Sequence, residues 1–265
     1  MKMNLRGGWV LIISTWQMWL QHRSFFFLLA FGWMIPPLIS LFVWYTVSGT
    51  HAIAGMTQSE FVAYYLFFML VNQLTYSQTN WTMGDAIRSG FMNLLLLRPL
   101  HPFFHAISTE VAGKVVYMLF VIPVVILLAP ILHPSLHTTL YQVLLFIPAL
   151  LLAWLLRFFW GFWLALLAFW ASRADALLAI QDALILLLAG QVAPIAVLPA
   201  PLALLAQLLP FRYMISFPIE VLMGNLSLTA LLEGFAQQIG WLCFTLLLFL
   251  VVWRNGLRHY SAIGG

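Results

Sequence analysis

Residues Gly84–Pro102 read GDAIRSGFMNLLLLRPLHP, and they interrupt a chain that is otherwise a succession of apolar runs. Asp85, Arg88 and Arg98 place three charges in this segment, in a protein where only 7% of residues are charged. A soluble chain carries about 25% charged residues, so this one cannot wet its whole surface. Hydrophobic residues make up 64% of it, and its mean hydropathy is +1.01. The chain therefore reads as an integral membrane protein, with Gly84–Pro102 as a short helical segment outside the lipid.

Working outward from that segment, six stretches are long and apolar enough to cross about 30 Å of hydrocarbon. They are Phe25–Val47, Phe61–Met83, Val115–Leu132, Tyr141–Trp170, Ala176–Leu198 and Phe235–Trp253. Continuous runs such as Phe120–Leu132 lack the alternation that a membrane β-barrel needs, so the expected fold is all-α and polytopic. With six spans both termini share a side. Nine basic residues fall on it (Lys2, Arg6, Arg23, Arg88, Arg98, Lys114, Arg173, Arg254, Arg258), against Arg212 alone on the other. The positive-inside rule makes that side cytoplasmic, together with the loop 84–114.

Two regions stand apart from the spans. In residues 1–24, Leu5, Trp9, Ile12, Trp16 and Trp19 recur at helical spacing, opposite Arg6, Ser14, Gln17 and Gln21. That pattern predicts a helix lying in the membrane interface, ahead of a transmembrane domain over 25–265. Between Leu198 and Gly234 the apolar pattern is broken by Pro199, Pro201, Pro210 and Pro218. Proline ends or kinks helices, so residues 199–233 are expected to form short re-entrant helices on the outer side.

Motifs of catalysis are absent from the sequence. It contains no phosphate-binding loop, no H-E-x-x-H and no G-x-S-x-G, so no catalytic centre is expected. His101 and His105 stand at i, i+4, but Pro102 lies between them and no metal site is expected. The single cysteine, Cys243, lies in an apolar run and allows no internal disulfide. The sequence pI of about 9.5 comes from residues at membrane edges, without the clustered basic and aromatic pattern of a nucleic-acid binder.

Polar groups inside spans are costly and mark function or inter-helix bonding. The second span ends in such a cluster, with Asn72, Gln73 and Gln78 among its members. It either lines a cavity or bonds to neighbouring helices. Asp182, next to Gln181, lies near the inner end of the fifth span, within reach of the interface or of Arg173. Arg157 falls about 20 Å from the inner end of the fourth, at 1.5 Å per residue. It is a candidate pathway residue or the partner of an acidic neighbour. In the loop itself, Asp85 and Arg88 share a helical face, and Leu94–Leu97 supplies an apolar one before Pro99 stops the helix. Such a helix suits a groove on a partner protein or rests on lipid.

The string Asp85-x-x-Arg88-x-Gly90-x-x-x-x-Leu95-x-x-Arg98-Pro99-Leu100 resembles the cytoplasmic loop of ABC type 2 exporter permeases. More narrowly, the chain resembles the permease subfamily found beside daunorubicin-exporter-like ATPases. Gly190-Gln191-x-x-Pro194, Leu198-Pro199, Leu209-Pro210-Phe211 and Phe217-Pro218 resemble that subfamily's outer region. Trp253-x-x-Gly256-Leu257-x-x-Tyr260-x-Ala262-x-Gly264-Gly265 resembles its C-terminus. Asn93 departs from the pattern, which often has an apolar or similar residue there, and the resemblance assigns no role to Arg157.

The resemblance implies a six-span permease subunit in a bacterial-type cytoplasmic membrane, paired with a second, homologous or identical permease. Cytosolic ATPase subunits would hold the ATP and Mg, and this chain no cofactor. Asp85, Ile87, Arg88, Gly90, Leu95, Arg98 and Pro99 would belong to the coupling helix that docks on the ATPase. Pro199, Pro210, Arg212, Pro218 and Glu220 would belong to the outer re-entrant helices. A stand-alone secondary transporter using Arg157 and Asp182 for ion coupling is the alternative, and a non-transporting membrane scaffold a third. The substrate is open to amphiphilic drugs, lipids or glycoconjugates alike.

Overall fold

The computed structural model describes residues 5–21, 23–49, 51–171 and 175–260, and these are helical almost throughout. The helices are α1 (Leu5–Gln21), α2 (Arg23–Ser48), α3 (Gln58–Thr75), α4 (Thr79–Arg88), α5 (Phe91–Leu97) and α6 (Pro102–Leu132). They continue as α7 (Leu140–Leu166), α8 (Asp175–Leu188), α9 (Ala200–Leu208), α10 (Phe211–Met214), α11 (Ser216–Met223) and α12 (Leu228–His259). Among the described residues no strand forms, and one isolated bridge pairs Ile53 with Met56.

Among the described residues, four stretches are long and apolar enough to cross a membrane: Phe31–Ser48, Pro102–Leu132, Leu140–Phe169 and Leu228–His259. α3 and α8 occupy the places of the second and fifth expected spans but differ from the other four. α3 keeps Glu60, Asn72 and Gln73 and is enclosed by protein, with twelve of its eighteen residues buried. A helix wrapped by other helices need not be apolar all round. α8 has 14 residues, or about 21 Å of helix, less than the hydrocarbon thickness.

Several expected boundaries are corrected by local chemistry. The second span does not run on to Met83: the helix stops at Thr75 and restarts at Thr79. The third starts at Pro102 rather than Val115. Proline suits a helix's first position, where its missing N–H is not needed, and His101 caps that end by accepting from Phe103 N at 3.1 Å. The fifth ends at Leu188 rather than Leu198, because Gly190 turns the chain at φ +86°. The sixth starts at Leu228 rather than Phe235, capped by Ser227, whose hydroxyl accepts from Ala230 N at 3.2 Å.

Two apolar cores stack along the bundle. The larger gathers around α3, with Phe61, Tyr65 and Phe68 packed among residues of α2, α6, α7 and the α9–α11 region. The second lies at the other end, where Met83 and Ile87 of α4 meet Phe158 and Phe162 of α7, Ala106 of α6 and Phe249 of α12. Its aromatic rings are in contact, with Phe162 and Phe249 centroids 4.8 Å apart.

α1 lies along α6 through Gly8, where an added Cβ would stand 3.0 Å from the Phe104 ring. Trp9 and Trp16 point away from that contact and are exposed; the side chains of Leu5, Arg6 and Trp19 lie outside the described residues.

Irregular buried backbone must find its partners within the protein, and the turn after α8 does. Tyr64 Oη donates to Gly190 O at 2.9 Å, and Tyr65 Oη and Trp44 Nε1 donate to Val192 O at 2.9 and 2.8 Å. α12 does the same for the short helices. Gln238 Nε2 donates to Tyr213 O and Ala149 O, both at 2.9 Å, and Trp241 Nε1 to Leu208 O at 3.1 Å.

Candidate functional site

The break between α3 and α4 organises the most polar part of the interior. Thr75 ends one helix, Tyr76 is extended at ψ 136°, and Gln78 precedes the next. A helix leaves carbonyls unpaired at its C-terminus and N–H groups unpaired at its N-terminus, with partial charges to match. Both ends here receive the complementary side chain. Lys114 Nζ donates to Tyr76 O at 2.7 Å, at the carbonyl end of α3. Glu110 Oε1 accepts from Gln78 N at 2.7 Å, Thr79 Oγ1 at 2.8 Å and Ser77 Oγ at 2.9 Å, at the start of α4. The two clamping residues are one turn apart on α6 and lie 3.4 Å from each other. Lys114 also stands 5.4 Å from the centre of the Trp154 ring.

Arg157 reaches the break from α7. It sits in a buried row, Ala149, Ala153, Arg157, Gly161 and Ala165, spaced by four residues on one helix face. Small residues let helices approach closely: a Cβ on Gly161 would lie 3.4 Å from Asn80 of α4. In that row Arg157 is the one large member, and it fills the gap left at the break. Its Nη1 donates to Asn72 Oδ1 at 2.8 Å and Thr75 Oγ1 at 3.2 Å, and its guanidinium stands 5.1 Å from the centre of the Tyr76 ring. No carboxylate lies within ion-pair distance of it among the described residues. The acidic partner expected for Arg157 is replaced by neutral acceptors of the broken helix.

Beside Arg157 opens a cavity of about 300 Å³. Asn72 and Asn80 line it from the break, Gln181 and Asp182 from α8, and Trp33 from α2. Of the five candidate pathway residues, Asn72, Arg157 and Asp182 are brought together here. Gln73 and Gln78 are not; they turn to a crevice of about 10 Å³ on the α6 side with Glu110 and Lys114. Asp182 accepts from Gln181 Nε2 at 3.2 Å; its expected partner Arg173 lies outside the described residues.

Sequence reading missed Glu110 and took Lys114 for a membrane-edge charge. A signal was present: a Glu and a Lys four apart, the favourable helical order, inside an otherwise apolar stretch.

The charged segment that breaks the apolar runs is two helices, not one. Gly90 has φ +78° and separates α4 from α5. Arg88 pairs with Asp85 at 2.5 Å on the last turn of α4. Ile87 and Leu95 are buried in the second core, whereas Asp85, Phe91, Leu94, Leu97, Arg98 and Pro99 are exposed. Leu97 is 85% exposed.

At the opposite end, Arg212 Nη2 and Nε bond Glu220 at 2.6 and 3.3 Å. Ser216 Oγ donates to the same carboxylate at 2.9 Å and lies 3.3 Å from Tyr64 Oη. Pro199 and Pro210 immediately precede α9 and α10, and Pro218 lies in the first turn of α11, positions where the missing N–H is tolerated. Arg212, Glu220, Ser216 and Tyr64 therefore join into one ion-paired knot that ties α10 and α11 to α3.

A family model described as ABC-2 family transporter protein matches residues 31–264. No curated protein and no solved structure matches the chain.

Proposed function

The chain belongs to the ABC-2 transporter family, and on that premise we propose that it is the transmembrane permease subunit of an ATP-binding cassette exporter. ATP and Mg would be held by cytosolic ATPase subunits, and a second permease subunit would complete the pathway in a cytoplasmic membrane, with both termini inside. The single observation that carries the docking role is the exposed face of the α4–α5 segment. Phe91, Leu94 and Leu97 lie at i, i+3 and i+6 on α5 and are exposed, while Met92 and Leu95 anchor the same helix in the second core. An apolar stripe on a rigidly seated helix fits a groove on a partner protein.

The break supplies a route from that surface to the cavity. α4 carries the docking segment at one end and the Glu110-capped N-terminus at the other. A push on α5 therefore reaches the polar groups beside Arg157 without bending a continuous helix. ATP-driven binding would shift the populations of two permease states by acting on this joint.

The reading is tested by co-expressing the chain with any nucleotide-binding ATPase found in the adjacent reading frames. The parent is expected to co-purify with that ATPase and to support ATP-dependent transport in vesicles. Leu97→Asp is expected to insert and melt like the parent, because exposed substitutions change stability by about 0.5 kcal/mol or less, yet to lose ATPase binding. Gradient-driven uptake without any ATPase would overturn the proposal in favour of a secondary transporter.

A further inference from the structure

We infer that the cavity beside Arg157 takes the headgroup of a zwitterionic amphiphile bearing a primary amine, its anionic group on Arg157 and its ammonium on Asp182. The inference deepens the permease reading and rests on it, since it names the class of molecule that the transport site would accept.

Four observations carry it. First, Arg157 is 8% exposed and bonds its protein acceptors through Nη1 alone. Its Nε and Nη2 have no acceptor among the described residues, and neither is an enclosed orphan atom, so both face open space. A buried guanidinium with two free donors is suited to a phosphate or carboxylate.

Second, Asp182 lines the same cavity with an exposed carboxylate whose one hydrogen bond among the described residues comes from Gln181 Nε2 at 3.2 Å. An accessible carboxylate with most of its acceptor capacity unused calls for a charged donor. An all-acceptor anion would satisfy Arg157 and be repelled here; a quaternary amine would bring charge but no N–H. A primary ammonium brings both.

Third, the charges balance. Arg157 and Asp182 are the two ionic residues on the cavity wall, and they are not paired with each other. A neutral polyol would leave the Arg157 charge uncompensated, whereas a zwitterion answers each charge in place.

Fourth, the wall continues into the apolar surface. Trp33 of α2 and Leu186 of α8 line the cavity and are also 41% and 40% exposed. An acyl chain can leave between them while the headgroup stays inside. At about 300 Å³ the space sits at the lower end of small-molecule sites, enough for a headgroup and too small for a whole lipid.

The test is lipid competition on the purified full-length chain in detergent, read by native mass spectrometry. Phosphatidylethanolamine, phosphatidylcholine, phosphatidylglycerol and diglucosyl diacylglycerol with identical acyl chains are offered in equal amounts. Phosphatidylethanolamine is expected to be retained over the other three. Asp182→Asn, a same-size change at an accessible site, is expected to cut its preference over phosphatidylglycerol roughly tenfold, the value of one charged hydrogen bond, with the melting midpoint unchanged. Arg157→Gln is expected to weaken retention of both phospholipids; should it fail to fold, the Asp182→Asn result alone decides. Equal retention of all four lipids, a lead for phosphatidylglycerol or the glucolipid, or a preference untouched by Asp182→Asn would each overturn the inference. No ATPase is present in this assay, so its failure leaves ATPase docking through α5 standing, and failure of that docking leaves the lipid result readable.

Discussion

Lys114 of α6 holds the carbonyl of Tyr76 at 2.7 Å, so a cation from one helix closes the open end of another. The same ammonium lies 3.4 Å from Glu110, which closes the start of α4. One turn of α6 thereby serves both sides of the break.

Lys114→Met is expected to destabilise the chain by about 3 kcal/mol, because it leaves Glu110 buried without its cation and Tyr76 without a donor. Thermal unfolding in detergent, followed by tryptophan fluorescence, measures it. Glu110→Gln combined with Lys114→Met is expected to recover part of the loss, since no lone charge remains. A single variant as stable as the parent would show that the break does not need its clamp.

Gly90→Ala is expected to cost about 1 kcal/mol, the penalty of a β-carbon in the left-handed region. The site has room for one, with nothing nearer than Asn93 Nδ2 at 4.0 Å, so backbone preference alone is at work. Gly90→Asn should cost less, because asparagine tolerates that conformation. Equal melting midpoints for the alanine and asparagine variants would contradict this.

Gly190→Ala adds a clash to the same kind of strain. Its Cβ would lie 2.1 Å from Tyr64 Oη, at φ +86°. A loss of about 2–3 kcal/mol is expected. Adding Tyr64→Phe should restore some of it by removing the obstructing oxygen, and a double-mutant cycle reads the coupling. Strict additivity of the two changes would rule out the contact as the cause.

Glu220→Gln keeps an acceptor for Ser216 but removes the charge that pairs with Arg212. A loss of about 1.5–2 kcal/mol is expected, the difference between a charged and a neutral bond. Because both side chains are largely enclosed, at 16% and 18% exposure, high salt should not reproduce the effect. If added salt alone lowers the parent's midpoint by the same amount, the pair is a surface interaction.

Much of the architecture was readable from periodicity and charge. Runs such as Val115–Leu132 and Tyr141–Trp170 announce helices because only helices and closed barrels satisfy backbone groups in lipid, and these runs lack a barrel's alternation. What escaped reading was where helices stop. Tyr76 carries no proline or glycine, and its break depends on Lys114 and Glu110, thirty or more residues away in sequence. The start at Pro102 was legible in principle, since proline favours a first turn, but the charge on Lys114 placed the boundary too late. Asn72, Arg157 and Asp182 were picked out by the cost of polar groups at depth, and they do meet. Gln73 was picked out by the same rule and faces elsewhere, because one residue on a helix is a turn of about 100°.

α6 contains 31 residues and so measures about 46 Å, against about 30 Å of hydrocarbon. A helix that long must tilt, bend or extend beyond the bilayer. At its Pro102 end α1 lies along it and α5 packs against it. Glu110 and Lys114 follow eight and twelve residues farther along the same helix. No proline interrupts α6 between Pro102 and Lys114, so load that the proposed docking segment passes to this end is carried to the break along a stiff axle.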